Sequence, residues 1–220
     1  MVPARPATAR GRFITVEGGE GAGKSTQVDL LLAALVHHGI AATRTREPGG
    51  SAGAEAIRDL LLDGADERWD AVGEALLLYA ARRDHVVRLI APALAAGTWV
   101  ICDRFADSTL AYQGYGRGLP LADLAALHRF ALGDFSADLT LILDLPAQEG
   151  LARAARRSGA ADRFERLGLA FHQRLRQGFL RLAADHPRRC AVIDATGDRD
   201  SVHRAVLAVI AARLGVDLQS

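Results

Sequence analysis

The sequence predicts an α/β protein with a five-stranded parallel sheet and helices on both faces. Five short apolar runs alternate with segments whose apolar residues recur at helical spacing, a pattern typical of a parallel sheet covered by helices. Four of the runs end at or beside an acidic residue: Glu17, Asp103, Asp144 and Asp194. Because ligands of such sheets bind at the carboxyl ends of the strands, these acids mark the edge where we expect a site.

The elements follow one another without an internal repeat or a long linker. Short apolar or β-branched runs predict strands over 12–17, 41–46, 99–102, 139–143 and 190–193. Apolar spacing predicts helices over 25–38, about 54–62, 70–96 and 107–132, and at the C-terminus. Gly39 and Gly97 end two of these helices, and Pro92 is expected to interrupt the long one.

Length and composition indicate one folded domain over 12–220, preceded by a disordered tail over 1–11. Half of the 220 residues are apolar, and the tail lacks the hydrophobic segment of a signal peptide. No apolar stretch is long enough to span a membrane, and a net charge of +1 does not favour a broad surface for nucleic acid or membrane. We therefore expect a cytoplasmic protein with neither of those partners.

Two cysteines, Cys102 and Cys190, lie in predicted strands, away from any CxxC or Cys/His cluster. This placement favours buried, reduced thiols over a metal site.

Residues 18–25 form a complete GxxxxGK[ST] phosphate-binding loop between a predicted strand and a predicted helix. Its Lys24 is the only lysine, although the chain has 27 basic residues, which indicates that a compact charge is needed here. Backbone N–H groups of such a loop converge on phosphate oxygens, and the Ser25 hydroxyl can ligate Mg²⁺. The predicted ATP-binding residues are Gly18, Gly19, Glu20, Gly21, Ala22, Gly23, Lys24, Ser25 and Thr26.

The loop alone does not separate a kinase from a GTPase or an ATP-driven motor. The chain contains no asparagine, so it cannot carry the Asn-Lys-x-Asp motif with which guanine-specific switches usually read the base. Motors generally need more chain than one domain of this size. A small-molecule kinase is therefore the favoured class.

Three further motifs occur in order after the loop: residues 45–50 (TREPGG), 103–105 (DRF) and 111–118 (AYQGYGRG). In this order and spacing they resemble the bacterial thymidylate kinases, from about Arg12 to the C-terminal helix. The resemblance implies the P-loop nucleoside monophosphate kinase architecture and direct in-line phosphorylation of dTMP to dTDP by ATP and Mg²⁺, a step in dTTP biosynthesis. It also implies a homodimer.

The resemblance also assigns roles to individual residues. Glu20 matches the acid that accepts a hydrogen bond from the sugar 3′-hydroxyl, Asp103 the strand-end acid near Mg²⁺, and Arg104 the arginine that grips the acceptor phosphate. Ser25 and Asp103 are thus the implied metal ligands. The implied substrate-binding residues are Glu20, Arg46, Pro48, Leu78, Arg82, Arg104, Ser108, Thr109, Tyr112 and Gln113. Residues 194–197 match the segment near adenine.

One position departs from the family pattern. Four residues before Arg82 the family usually has an aromatic side chain that stacks on thymine, whereas this chain has Leu78 with Tyr79 beside it. Either Leu78 covers the base as an apolar contact, or Tyr79 takes the place of the family's aromatic side chain. Both cannot face the base, because adjacent residues on a helix point about 100° apart.

The family carries its catalytic arginine either in the glycine loop or in a flap. Gly21 occupies the loop position, so the resemblance implies the flap type, with a flap near 153–163 whose turn covers 158–162. We favour Arg153 and Arg157 over Arg156 and Arg163, because they lie one helical turn apart. With Lys24, Asp103 and Arg104, they complete the predicted catalytic set: Lys24, Asp103, Arg104, Arg153 and Arg157. The alternative for any one flap arginine is a solvated basic helix face.

Two rival functions stay open at this level. Leu78 motivates a kinase for another nucleoside monophosphate. A nucleotide-binding regulatory or scaffold protein with a degenerate site is the rival of a different class, although intact Lys24, Ser25, Asp103 and Arg104 oppose it.

Overall fold

The computed structural model of the chain describes residues 10–63, 68–156, 163–164 and 166–218. Within these ranges five strands form one sheet in the order β2-β3-β1-β4-β5, and every neighbouring pair is parallel. The strands are β1 (Phe13–Gly18), β2 (Ala42–Arg46), β3 (Trp99–Asp103), β4 (Leu139–Asp144) and β5 (Cys190–Asp194). The predicted five-stranded parallel sheet is confirmed.

The helices of the described ranges lie between these strands. They are α1 (Lys24–His37), α2 (Ala52–Leu62), α3 (Ala71–His85), α4 (Ala91–Ala95), α5 (Ala106–Thr109), α6 (Leu121–Leu132), α7 (Ala147–Ala155), α8 (Leu169–Asp185) and α9 (Arg199–Leu214). Two π-helical segments, Val86–Ile90 and Leu110–Gly116, continue α3 and α5.

The predicted interruption near Pro92 is instead a change of helical pitch. Helix α3, the first π-helical segment and α4 run without a break from residue 71 to 95. Pro92 has no N–H to donate to a preceding turn, and the N–H of Ala91 reaches back five residues to the carbonyl of Val86. The local widening absorbs the proline without ending the helix.

Side-chain alternation along the central strand β1 builds a core on each face of the sheet. Ile14 and Val16 point to one face, where they pack with residues of α1 and α9 such as Leu31 and Val206. Phe13 points to the other face and packs with the helical run 71–95. Both faces are therefore covered, as a parallel sheet requires.

The end of the predicted tail is packed rather than loose. Gly11 is buried and its N–H donates to the carbonyl of Leu94 at 2.8 Å. Arg10 donates to a carboxylate oxygen of Asp138 at 3.2 Å. Residues 1–9 of the predicted tail lie outside the described residues.

Sheet order brings the predicted site residues to one edge. Strand β3 pairs directly with β1, and Val16 is in register with Asp103. The glycine loop after β1 and the Asp103-Arg104 pair after β3 therefore meet at the carboxyl ends of the two strands.

Candidate active site

The glycine loop packs backbone to backbone against helix α7. Gly21 has φ of 67°, and a Cβ built on it would lie 2.1 Å from the carbonyl oxygen of Gly150. A Cβ on Gly150 would lie 2.3 Å from the carbonyl oxygen of Glu20. Any side chain at position 21 is excluded by this approach, so the loop cannot carry an arginine there, and Arg153 lies one turn further along α7.

Lys24 is buried at the start of α1, and its Nζ donates to the carbonyl oxygen of Gly19 at 2.7 Å. Burial and the nearby Arg104 guanidinium lower the pKa of Lys24, whereas Glu20 and Asp103 oppose the shift. The ammonium is thus held over the loop, at the helix N-terminus where anions are favoured.

Ser25 and Asp103 come together from α1 and the end of β3. The Ser25 hydroxyl donates to Oδ2 of Asp103 at 2.6 Å, so the two predicted metal ligands are neighbours. Among the described residues there is no cluster of three or more His, Cys, Asp or Glu side chains able to hold a metal. One hydroxyl and one carboxylate nevertheless fit Mg²⁺, which keeps several waters and binds few protein ligands beside substrate phosphates.

Glu20 and Arg104 form a partly buried ion pair between the loop and β3. Arg104 Nη2 donates to Glu20 Oε1 at 2.6 Å, and the Tyr112 hydroxyl donates to the same oxygen at 2.5 Å. Burial acts to raise the pKa of Glu20, but the positive charges of Arg104 and Lys24 outweigh it and lower the pKa to about 2. The carboxylate is therefore charged and acts only as a hydrogen-bond acceptor.

Arg104 adopts an unusual backbone conformation that its neighbours maintain. Its φ is 68°, the only positive value among the described non-glycine residues. The buried Glu17 side chain accepts from the N–H of Phe105 at 2.7 Å and from the Ser108 hydroxyl at 2.6 Å. Burial, with Asp107 nearby, raises the pKa of Glu17 to about 8. Sequence analysis treated Glu17 only as a strand-end acid and missed this support of the Arg104 turn.

A cavity with about 570 Å³ of empty space, here called the inner cavity, opens beside this ion pair. Nine of the ten predicted substrate-binding residues line it: Glu20, Pro48, Leu78, Arg82, Arg104, Ser108, Thr109, Tyr112 and Gln113. Five lining residues were not predicted for it: Glu47, Arg58, Leu62, Phe105 and Phe164.

The structure decides which of two neighbouring residues faces the inner cavity. Leu78 lines it, whereas Tyr79 is buried beneath, with its ring 4.7 Å from the Arg82 guanidinium. Tyr79 therefore does not replace the missing aromatic. Phe164, from the segment after the predicted flap turn, lines the cavity and contacts the Tyr112 ring edge-on at 5.5 Å.

Arg82 is held at the inner cavity by Glu47, which sequence analysis placed in a motif without a role. Arg82 Nε donates to Glu47 Oε2 at 2.6 Å, and His85 Nδ1 lies 3.1 Å from Oε1. Burial acts to lower the pKa of Arg82, but the Glu47 carboxylate more than compensates and raises it. The terminal nitrogen Nη1 of Arg82 is buried and has no hydrogen-bond partner in the described residues, so it can donate to a ligand.

A second cavity, here called the loop cavity, lies over the glycine loop and has about 1160 Å³ of empty space. Its lining includes the predicted Lys24, Ser25, Thr26, Asp103 and Arg153. Arg46, the tenth predicted substrate-binding residue, lines this cavity rather than the inner one, and it pairs with Glu55 at 3.0 Å. Glu20, Glu47, Arg58 and Arg104 line both cavities.

The flap arginines have different surroundings. Arg153 donates to the carbonyl oxygens of Ala195 and Thr196 at 3.0 and 3.1 Å and pairs with Glu149. Arg163 is fully buried and paired with Glu74, so its guanidinium does not reach the loop cavity. Arg157 and the predicted turn 158–162 lie outside the described residues.

Comparison with known proteins assigns the chain to a family. Residues 16–206 match the family described as Thymidylate kinase, which is most of the chain. The chain belongs to the thymidylate kinase family. It is 57% identical to the thymidylate kinase of Caulobacter vibrioides over 94% of this chain and 99% of that one, and 52% identical to that of Afipia carboxidovorans over 96% and 92%.

A solved thymidylate kinase has the same fold. The crystal structure of the Ehrlichia chaffeensis enzyme, determined at 2.15 Å resolution, superposes with a TM-score of 0.72 at 36% identity, covering 91% of this chain and 99% of that one. Membership of the thymidylate kinase family confirms the predicted enzyme class and reaction, ATP-dependent phosphorylation of dTMP in nucleotide biosynthesis. In the described part of the chain, no helix is both long and apolar enough to cross a membrane.

Cys102 and Cys190 are buried free thiols whose pKa values burial raises.

Proposed function

We propose that the inner cavity binds dTMP, the loop cavity binds the ATP phosphates, and the phosphoryl group passes between them beside Glu20 and Arg104. The observation that carries this proposal is that both of these residues line both cavities. Transfer of a phosphoryl group between two bound nucleotides requires the protein to position the phosphates and neutralise their charge, and it does not require a covalent intermediate. Glu47 and Arg58 also line both cavities, so the junction has two arginines and two carboxylates to position the phosphates and balance their charge.

The acceptor is held at its two ends. Arg104 contacts the 5′-phosphate and Glu20 accepts from the 3′-hydroxyl, while Ser108, Thr109 and Tyr112 enclose the sugar. At the base end, Leu78 and Pro48 supply apolar contact. Arg82 Nη1 and Gln113 Oε1 are the two polar atoms there that are buried without a partner among the described residues, and they point to hydrogen bonds with the base.

Lys24 neutralises charge on the β- and γ-phosphates of ATP, which the backbone N–H groups of the loop hold. Ser25 and Asp103 would hold Mg²⁺, which when bound neutralises charge on the phosphate oxygens. Arg46 lies in the loop cavity, so we assign it to phosphate rather than to the base. Arg153 donates to two carbonyl oxygens of the segment 194–197, and we assign this segment to the adenine of ATP.

Arg153 is the catalytic arginine that the described residues support best. The approach of Gly21 to Gly150 excludes an arginine from the loop and places α7 against it. The Arg153 guanidinium is bound to two carbonyl oxygens and to Glu149, so it must exchange these partners for phosphate oxygens during transfer. Arg157 stays a second candidate.

We also propose that the enzyme is a cytoplasmic homodimer. Val72 and Leu76 on α3 and Phe130 on α6 are large apolar side chains that are more than half exposed, and α3 packs against α6. Exposed apolar side chains on two helices that pack together are what an isologous dimer would cover. Two free thiols fit a reducing compartment.

A bisubstrate compound tests the two-cavity arrangement. Adenosine joined to thymidine through an oligophosphate should compete with both ATP and dTMP, because one molecule would fill both cavities. Inhibition that is competitive with only one substrate would show that the two cavities do not meet as proposed. Arg104→Ala should weaken the bisubstrate compound and dTMP but not ADP.

A further inference from the structure

Glu74, in the first turn of α3, is a fully buried carboxylate outside both cavities. Its partners come from three separate places. Arg163 forms an ion pair with Oε1, Arg117 Nη2 lies 2.9 Å from the same oxygen, and Gln113 Nε2 donates to Oε2 at 2.9 Å. A buried carboxylate persists only when its oxygens are satisfied, and here the hydrogen bonds come from Arg163 and Gln113, which therefore fix the carboxylate and are fixed by it.

This arrangement decides which end of the Gln113 amide faces the inner cavity. A carboxylate between two guanidinium groups offers only acceptors, so the amide must present its NH₂ end to Glu74. The carbonyl end, Oε1, is then left buried at the cavity without a partner among the described residues. The orientation of the amide follows from Glu74. Without that neighbour, the Gln113 amide could adopt either orientation.

The end of the amide that is left without a partner at the inner cavity determines which base it can pair with. Thymine carries a hydrogen at N3 and can donate it to a carbonyl oxygen, whereas N3 of cytosine carries a lone pair and requires a donor. An amide that presents Oε1 therefore favours thymine, and the same amide turned by 180° would favour cytosine.

We propose that Glu74 is a positioning residue that sets base selectivity by orienting Gln113, and that Arg163 keeps its carboxylate in place. The proposal rests on the proposed placement of dTMP in the inner cavity. It adds a specificity role to a residue that contacts no substrate, and it gives Arg163, from the end of the predicted flap, a function other than catalysis.

Glu74→Gln supplies the test, because glutamine preserves the size but places a donor where the carboxylate had an acceptor. The two arginines will take the new carbonyl oxygen, so the new NH₂ faces Gln113 and turns that amide. The KM for dTMP should rise about tenfold, and the Ki of dCMP, measured as a competitor of dTMP phosphorylation, should fall. Opposite changes for the two nucleotides separate an orienting role from a general loss of packing.

Gln113→Met and Arg117→Met complete the experiment. Gln113→Met removes both ends of the amide and should narrow the ratio of dCMP Ki to dTMP KM. Arg117→Met removes one neighbour of Glu74 but leaves the Arg163 pair, so it should lower the thermal midpoint without changing that ratio. Should Glu74→Gln fail to fold, Glu74→Asp takes its place: the shortened carboxylate cannot reach Nε2, the amide is freed, and the ratio should narrow.

The outcomes separate this proposal from the one on which it rests. If Gln113→Met changes the ratio but neither Glu74 variant does, the positioning role is wrong and the dTMP site stands. If Gln113→Met leaves the ratio unchanged, the base is not read at Gln113, and both proposals are overturned. If Arg117→Met and Glu74→Gln change the ratio of dCMP Ki to dTMP KM equally, loosened packing would explain the effect, and the positioning role would also be overturned.

Discussion

Replacing Arg104 tests the proposed junction, because this side chain joins the loop, the ion pair and the inner cavity. Its Nη2 lies 2.6 Å from Glu20, its Nη1 lies 3.1 Å from the Gly18 carbonyl oxygen, and its guanidinium lies 5.0 Å from the centre of the Tyr112 ring. Arg104→Ala removes all of these contacts and leaves the positive-φ backbone occupied by a residue with a Cβ.

Two magnitudes follow from this geometry. A charged hydrogen bond to the dTMP phosphate is worth about 1.5–3 kcal/mol. Its loss should raise the KM for dTMP roughly 10- to 150-fold. Removing one partner of a fully buried ion pair costs about 3–5 kcal/mol. We expect the low end here, because the Arg104–Glu20 pair is only partly buried and because Lys24 and Tyr112 still stabilise Glu20.

Arg104→Gly is the matched variant, since glycine adopts a φ of 68° without steric cost. It should match Arg104→Ala in dTMP binding but be more stable by about 1 kcal/mol. Initial rates with each substrate varied at saturating levels of the other give both KM values, and urea unfolding gives the stabilities. A KM for ATP that rises as much as that for dTMP would refute the assignment of Arg104 to the acceptor phosphate.

Three other predictions have definite expected outcomes. Lys24→Ala and Lys24→Arg should each lower kcat by about 10²- to 10³-fold with an unchanged circular dichroism spectrum; near-normal kcat in Lys24→Arg would disprove the need for a compact charge. Arg153→Ala should lower kcat roughly 10³-fold with little change in the KM for dTMP, whereas the exposed Arg156→Ala should resemble the parent; equal rates in the two variants would remove Arg153 from catalysis. Since the pKa of Glu17 is raised from 4.5 to about 8, its contribution to the unfolding free energy is complete below pH 4.5 and is lost as the pH rises through about 8. Urea unfolding from pH 4.5 to 9 should show this decline in the parent and a smaller one in Glu17→Gln; identical pH profiles would contradict the raised pKa.

The inner strands β1, β3 and β4 were predictable because they are largely buried on both faces and therefore appear as mainly apolar runs. The strands agree with prediction to within one residue at each end. The positions of the glycine loop, Asp103 and Arg104 were equally predictable, since they follow from local sequence and from the common edge of parallel strands. The continuity of the helix through Pro92 was not predictable, because a π-helical turn depends on how the helix packs around the proline.

Buried charge networks could not be predicted from the sequence. Glu47 and Arg82 are separated by 35 residues, and Glu74 and Arg163 by 89, so only the fold brings them together. The choice between Leu78 and Tyr79 depended on the rotation of α3 about its axis. Leu76, Leu77 and Leu78 precede the tyrosine, so apolar residues surround the helix there and the pattern does not fix a buried face.

Turnover of a panel of monophosphates tests the central claim most directly. ADP release is measured with dTMP, dUMP, dCMP, dGMP and UMP under identical conditions, with a reaction lacking any monophosphate as the blank. We expect the highest kcat/KM for dTMP and no ADP release in the blank, because Leu78, Arg82 and Gln113 line the base end of the inner cavity. A higher kcat/KM for another monophosphate, or ADP release that needs no acceptor, would contradict the account.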